Sequence, residues 1–129
     1  MKLLIIDDNL EVLEVTMTLL EHLGHTVVTA LGGKSGIEKF ESEDFDIVIT
    51  DIIMPDLDGE RVAEYIRGSG KKSAVVGMSG TPWEVNRDQF DAFLSKPFSI
   101  MDVFNCIEDL WVRPNSTAWV GRSIRTDTV

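Results

Sequence analysis

The sequence predicts an α/β fold: a parallel sheet with helices on both faces. Three observations carry that reading. Short runs rich in β-branched residues recur along the chain, separated by stretches with helical apolar spacing. Three of these runs are nearly continuous, as strands covered on both faces require. Several runs stop at a polar or charged residue, and ligand sites of such sheets lie at the carboxyl ends of the strands.

Taken in order, "LLII" (3–6) predicts the first strand. Leu10, Leu13, Met17, Leu20 and Leu23 keep helical spacing on one face, with Glu11, Glu14 and Glu21 elsewhere. "TVVTA" (26–30) predicts a second strand, and Ile37 with Phe40 a second, short helix. "FDIVIT" (45–50) is the third strand. Val62, Ala63 and Ile66 suit a third helix, with Asp58 as its N-cap. Gly59 then supplies either a close backbone approach or the first helical turn. "SAVVGM" (73–78) is the fourth strand and "AFL" (92–94) the fifth. Between them "TPWE" (81–84) reads as a helix start: Thr81 at the N-cap, Pro82 at N1, Glu84 closing the capping box. That helix must be short and end near Phe90. Ile100, Val103, Phe104, Ile107 and Leu110 form the last helix, opened by Ser99. After Val112 the apolar pattern stops. Residues 1–112 are therefore expected to form the domain, and 113–129 ("RPNSTAWVGRSIRTDTV" from Arg113) a tail or linker.

The chain has 129 residues, the size of one domain, and 43 % apolar residues give it a sizeable core. Its net charge of −10 argues against nucleic-acid binding, which needs clustered Lys and Arg. It suits bound cations or the steering of a basic partner. Cys106 is the one cysteine, so no internal disulfide forms and a reducing compartment is expected. "MKLLIID" does not read as a signal peptide, and no apolar run is long enough to span a bilayer. A cytoplasmic location is the expectation, with no membrane partner.

The strand ends carry the chemistry. The first ends in Asp7 and Asp8, the third in Asp51, the fourth in Ser79 before Gly80, and the fifth leads into Lys96-Pro97. In a parallel sheet these converge on one edge. Three carboxylates there repel one another unless protonated or neutralised by a cation. Mg²⁺ prefers hard oxygen ligands and uses one or two carboxylates beside substrate phosphate. A carboxylate can itself be a nucleophile, and Lys96 and the Ser79 hydroxyl are suited to phosphoryl oxygens.

The ordered set "DD" (7–8), Asp51 with "MPDLDG" (54–59), "SG" (79–80) and "KP" (96–97) resembles the receiver domain of two-component response regulators, from Met1 to about Leu110. The resemblance implies a flavodoxin-like, doubly wound five-stranded sheet of order 2-1-3-4-5; the chain departs from it in the short Ser79-to-Lys96 spacing, which leaves room only for a shortened fourth helix. It implies that Asp51 accepts the phosphoryl group. Asp8, Asp51 and the main-chain carbonyl of Ile53 would be direct Mg²⁺ ligands, and Asp7 would hold the ion mainly through water. Ser79 would move to meet the phosphoryl group, Lys96 would bind it, and Phe93 would swing inward on activation. The implied partners are a sensor histidine kinase or histidine phosphotransfer protein and a downstream protein. The implied state is a monomer or a weak phosphorylation-dependent dimer. Such a chain is a phosphoryl-accepting signalling protein rather than an enzyme.

Plainer readings stand beside these. Asp8 also suits the N-cap of the first helix, with Glu11 completing a box. Ser79 suits an ordinary turn, Lys96 a solvated surface position, and Phe93 plain core. His22 and His25 lack metal-site companions and carry no chemistry. Trp119 in the tail fits docking or a solvated segment equally. Two rival functions remain. One is a pseudo-receiver that binds partners without phosphoryl turnover. The other is an aspartyl-nucleophile phosphatase, which wants a second acid where this chain has Ile53.

Overall fold

The computed structural model describes residues 1–81 and 85–111. The chain alternates β1 (Lys2–Asp7), α1 (Leu10–His22), β2 (Thr26–Leu31), α2 (Gly33–Ser42), β3 (Ile47–Asp51), α3 (Gly59–Gly68), β4 (Ala74–Ser79), β5 (Ala92–Ser95) and α4 (Ile100–Trp111). All five strands are parallel, in the order β2-β1-β3-β4-β5. This is the doubly wound arrangement expected from the sequence.

Strand periodicity divides the core in two. Leu3, Ile5, Ile47, Ile49, Val76 and Met78 face α1 and α4, where Leu13, Leu20, Val103, Ile107 and Leu110 meet them. Leu4, Ile6, Val48 and Val75 point the other way, onto Phe40 of α2 and Val62, Ala63 and Ile66 of α3. Successive residues point to opposite faces, so strands buried on both sides must be apolar at every position. The helical stripes are narrower than the apolar spacing suggests. In α1, Leu13, Thr16 and Leu20 are buried while Leu10 is exposed. In α4, Cys106 joins the buried face, and Ile100 and Phe104 lie outside it. Leu10 and Ile100 are the first residues of their helices. Burial pushes the Cys106 thiol up to about 12.

Each helix start has an identifiable cap, worth about 1 kcal/mol. Asn9, not Asp8, caps α1: its side chain accepts from Val12 N at 3.2 Å. Asp58 accepts from Arg61 N at 2.9 Å. Ser99 and Asp102 bond reciprocally, at 3.1 and 2.9 Å, as a capping box. In α2 no residue of its own supplies a side-chain cap. Asp56, from the β3–α3 loop, accepts instead from Gly33 N at 3.1 Å and Lys34 N at 3.0 Å.

The connector between β4 and β5 departs most from the sequence reading. Thr81 and the end of the connector are described, but Pro82 and Glu84, on which the expected helix start rests, lie outside the described residues. Val85 and Asn86 are not helical, and Arg87–Gln89 form a single 3₁₀ turn capped by Asn86. From Phe90 the chain is extended and drawn down onto the sheet. Asp91 accepts from Val75 N at 2.7 Å and pairs with Arg67 at 2.8 Å. Phe90 and Phe93 pack with ring centroids 4.7 Å apart. Both press on Gly77, where a Cβ would lie 2.7 Å from the Phe93 ring. The expected tail, with Trp119, also lies outside the described residues.

Candidate functional site

Parallel register brings the strand ends level. Asp7 at the end of β1 pairs with Leu31, Asp51 at the end of β3 with Met78, and Ser79 at the end of β4 with Ser95. Lys96 comes next in the chain, and its N–H donates to the Ser79 carbonyl at 2.8 Å. The backbone thus fixes where each side chain starts.

Asp7, Asp8 and Asp51 each offer a carboxylate oxygen within 4.8 Å of the others. Asp7 and Asp51 are buried, and Asp8 is exposed at the mouth. Because Asn9 takes the cap of α1, the Asp8 carboxylate is left for this cluster. The Lys96 ammonium reaches Asp51 Oδ1 at 3.0 Å and Asp7 Oδ2 at 3.5 Å. Asp51 Oδ1 also accepts from Ile52 N at 3.0 Å. Asp7 Oδ1 accepts from Asn9 N at 3.0 Å, whereas Asp7 Oδ2 is buried without a hydrogen-bond donor.

Electrostatics reflect that packing. Burial pushes the Asp7 carboxyl above its ordinary value of 3.8; the Asn9 amide opposes it and the Asp51 charge adds to it. For Lys96, burial favours the neutral amine, but the hydrogen bond and charge of Asp51, with the negative charge of Asp7 nearby, outweigh it and raise the pKa. Three carboxylates against one ammonium leave a surplus of negative charge when all are ionised. An oxygen-only donor set, an excess of charge and an undonated Asp7 oxygen all fit a hard divalent cation.

The remaining expected residues fall around this cluster. The Ser79 side chain is buried, and its Oγ accepts from Thr81 N at 3.0 Å. Ile53 lies two positions beyond Asp51 with its side chain 74 % exposed. Phe93 lies inside the core, with the Arg87 guanidinium 4.4 Å from its ring centroid. The loop behind Asp51 is held by Gly59, whose N–H donates to Ile52 O at 2.8 Å. A Cβ there would stand 2.3 Å from Asp51 O, so the two sequence alternatives for Gly59, close approach and first helical residue, both hold. Asp56 was not legible as a structural carboxylate. Its backbone donors in α2 are 22 and 23 residues away in sequence. Its pKa is lowered, chiefly by the Lys34 amide and against burial, with Gly33 and Leu57 assisting.

Residues 3–108 match the profile of the response regulator receiver domain. The chain belongs to that family. Receivers are signalling domains of two-component systems, and they bind Mg²⁺ at an acidic site. The chain is 42 % identical over 125 residues to a probable transcriptional regulator, ycf27, of Guillardia theta, covering 92 % of this chain and 48 % of that protein. It is 27 % identical over 107 residues to the alkaline phosphatase synthesis transcriptional regulatory protein PhoP of Bacillus subtilis, covering 79 % and 45 %. The chain therefore spans about half the length of these regulators. Among solved structures it resembles the response regulator TrrA of Thermotoga maritima in complex with Mg²⁺-BeF. There the TM-score is 0.78 and the identity 26 %, over 84 % of this chain and 97 % of that one. No described helix is long and apolar enough to cross a membrane.

Proposed function

We propose that this receiver takes a phosphoryl group on Asp51 from a histidine kinase or histidine phosphotransfer protein, and that the phosphorylated form alters binding to another protein. The observation that carries this reading is the convergence of Asp7, Asp8, Asp51 and Lys96 at one sheet edge. Asp51 Oδ1 is engaged by Lys96 and Ile52 N, so the second carboxylate oxygen is the nucleophile. That oxygen's electron pair forms the new O–P bond while the P–N bond to the donor imidazole breaks. Lys96 then exchanges part of its contact with Asp51 for a phosphoryl oxygen, and Ser79 donates to another.

Asp8, Asp51 and the Ile53 carbonyl would hold Mg²⁺, with Asp7 behind them. The ion would neutralise the donor's phosphate charge. Support comes from the donor set, from the undonated Asp7 oxygen, and from the TrrA complex, which contains Mg²⁺-BeF. The short β4–β5 connector favours a second reading, a pseudo-receiver that binds partners without turnover. The phosphatase reading is weaker, because Ile53 supplies no second acid. Incubation with Mg²⁺ and acetyl phosphate or fluoroberyllate decides among them. An adduct that maps to Asp51 and vanishes in Asp51→Asn is expected. An unreactive wild-type chain would leave the pseudo-receiver.

A further inference from the structure

The start of α2 is fastened from two directions. The N–H of Gly32, just before the helix, donates to the Asp7 carbonyl at 2.9 Å. Asp56 reaches it from the loop between β3 and α3. Its Oδ1 accepts from Gly33 N at 3.1 Å and from Leu57 N at 2.8 Å, and its Oδ2 accepts from Lys34 N at 3.0 Å. One carboxylate thus joins two segments that lie 22 and 23 residues apart in sequence. The approach is close: a Cβ at Gly32 would lie 2.9 Å from Asp56 Oδ2, and one at Gly33 2.3 Å from the Leu57 carbonyl oxygen. Free amides and the helix dipole both favour a negative charge at a helix start.

The same loop carries Ile53. Ile52 before it is tied to the sheet, since its N–H donates to Met78 O at 3.2 Å and its carbonyl accepts from Gly59 N at 2.8 Å. Met54 after it is buried in the core. Among the described residues, the only hydrogen bonds from residues 53–57 to the rest of the fold are the two that Asp56 accepts from α2. Those two bonds are the polar anchor of the loop on the far side of Ile53.

We propose, on the reading that Asp8, Asp51 and the Ile53 carbonyl hold Mg²⁺, that Asp56 is a positioning residue for the ion. By pinning the loop to α2 it keeps the Ile53 carbonyl in place before the ion arrives. Asp56 is not a ligand: it stands outside the carboxylate cluster, and both its oxygens accept from amides. Preorganised groups bind more tightly because less ordering accompanies binding. The coupling is reciprocal. Whatever factor the Asp56 bonds add to Mg²⁺ affinity, the bound ion adds to the persistence of those bonds.

Mg²⁺ titration of the full chain by calorimetry, with amide exchange at Gly33 and Lys34, tests this. Asp56→Ala is expected to weaken Mg²⁺ binding about fivefold or more, the scale of coupling between sites. Asp56→Asn keeps an oxygen for Gly33 N and Leu57 N while removing the charge, so it should fall between alanine and wild type. Lys71→Met is the control, because Lys71 Nζ donates to the Phe40 and Glu43 carbonyls at the other end of α2. It should melt lower and bind Mg²⁺ as wild type does. Saturating Mg²⁺ should slow exchange at Gly33 and Lys34 in wild type and leave it unchanged in Asp51→Asn. Wild-type affinity in Asp56→Ala, equal losses in the asparagine and alanine variants, equal weakening in Lys71→Met, or exchange that ignores Mg²⁺ would each overturn the proposal while the carboxylate site stands. Undiminished Mg²⁺ binding in Asp51→Asn would instead overturn the site itself, and the role of Asp56 with it. Should the alanine variant fail to fold, the asparagine variant and the wild-type exchange still decide.

Discussion

Replacing Gly59 by alanine should damage both stability and phosphoryl transfer. The added Cβ would lie 2.3 Å from the Asp51 carbonyl oxygen and 2.9 Å from Ile52 Cα. Comfortable contact begins near 3.5 Å, so the backbone must give by about 1 Å. The obstacle is main chain at the end of a buried strand, so it cannot rotate away as a flexible side chain would. Overpacking of this kind costs about 1–3 kcal/mol. Alanine's better helix propensity returns at most about 1 kcal/mol, and less at the first helical position. The clash therefore wins, and at about 4 °C per kcal/mol the melting temperature should fall by several degrees. The displaced carbonyl belongs to the proposed phosphoacceptor, and a misplacement of about 1 Å can slow a reaction by about 10²-fold. Thermal melts and the rate of labelling by acetyl phosphate read the two effects. Gly68→Ala is the internal control, because nothing lies within 4 Å of its Cβ position and it ends the same helix. It should stabilise by about 0.5 kcal/mol and leave labelling unchanged. If both alanines raise the melting temperature alike, the close approach at Gly59 has no energetic weight and the reasoning fails.

Three other outcomes concern the site and its supports. Millimolar Mg²⁺ should raise the melting temperature of the wild type, since a ligand that binds only the folded state stabilises it; an undiminished shift in Asp51→Asn and Asp8→Ala would move the ion elsewhere. Ile53→Asn should shorten the lifetime of the phosphorylated protein, because an isoleucine side chain cannot orient attacking water and an amide can; equal decay of mutant and wild-type adducts would refute this. Asp56→Ala should lose about 1 kcal/mol at neutral pH, the worth of a helix cap. The folded-state pKa of Asp56 is depressed below 3.8, so its contribution is present above that value and disappears as pH falls through the lower, folded one. The two proteins should converge in denaturant midpoint only below about pH 4, and a gap that persists unchanged into that range would show that its charge is not the cause.

The sheet was legible because its strands are buried on both faces, which leaves near-continuous apolar runs such as Leu3–Ile6 and Ala74–Met78. The site was legible because each run stops at a residue with chemistry. What stayed hidden depended on distance or on competition. Asp7, Asp8 and Asn9 are three adjacent cap-forming residues, and sequence alone does not say which one bonds Val12 N. Asp56 acts on the start of α2, out of reach of any local motif. In the β4–β5 connector, local cap signals favoured a helix, but Phe90 packs on Phe93 of β5 and Asp91 bonds Val75 of β4. Those anchors require extended backbone where a longer helix would have to run. Leu10 and Ile100, the first residues of their helices, are exposed: periodicity gives a helix's apolar side but not which of its positions are covered.

Cys106 has a practical consequence for observing this domain in solution. Its sulfur is the chain's single thiol, it is 3 % exposed, and burial pushes its pKa up to about 12. Maleimide and iodoacetamide reagents attack thiolate, and a buried, protonated thiol is inert to them at about pH 7. A cysteine introduced at an open position, such as His22 in the last turn of α1, would take the label selectively without first removing the native one. That end of the helix lies on the rim opposite the carboxylates, so a fluorophore or spin label placed there would report on tumbling and pairing while leaving the acidic edge untouched.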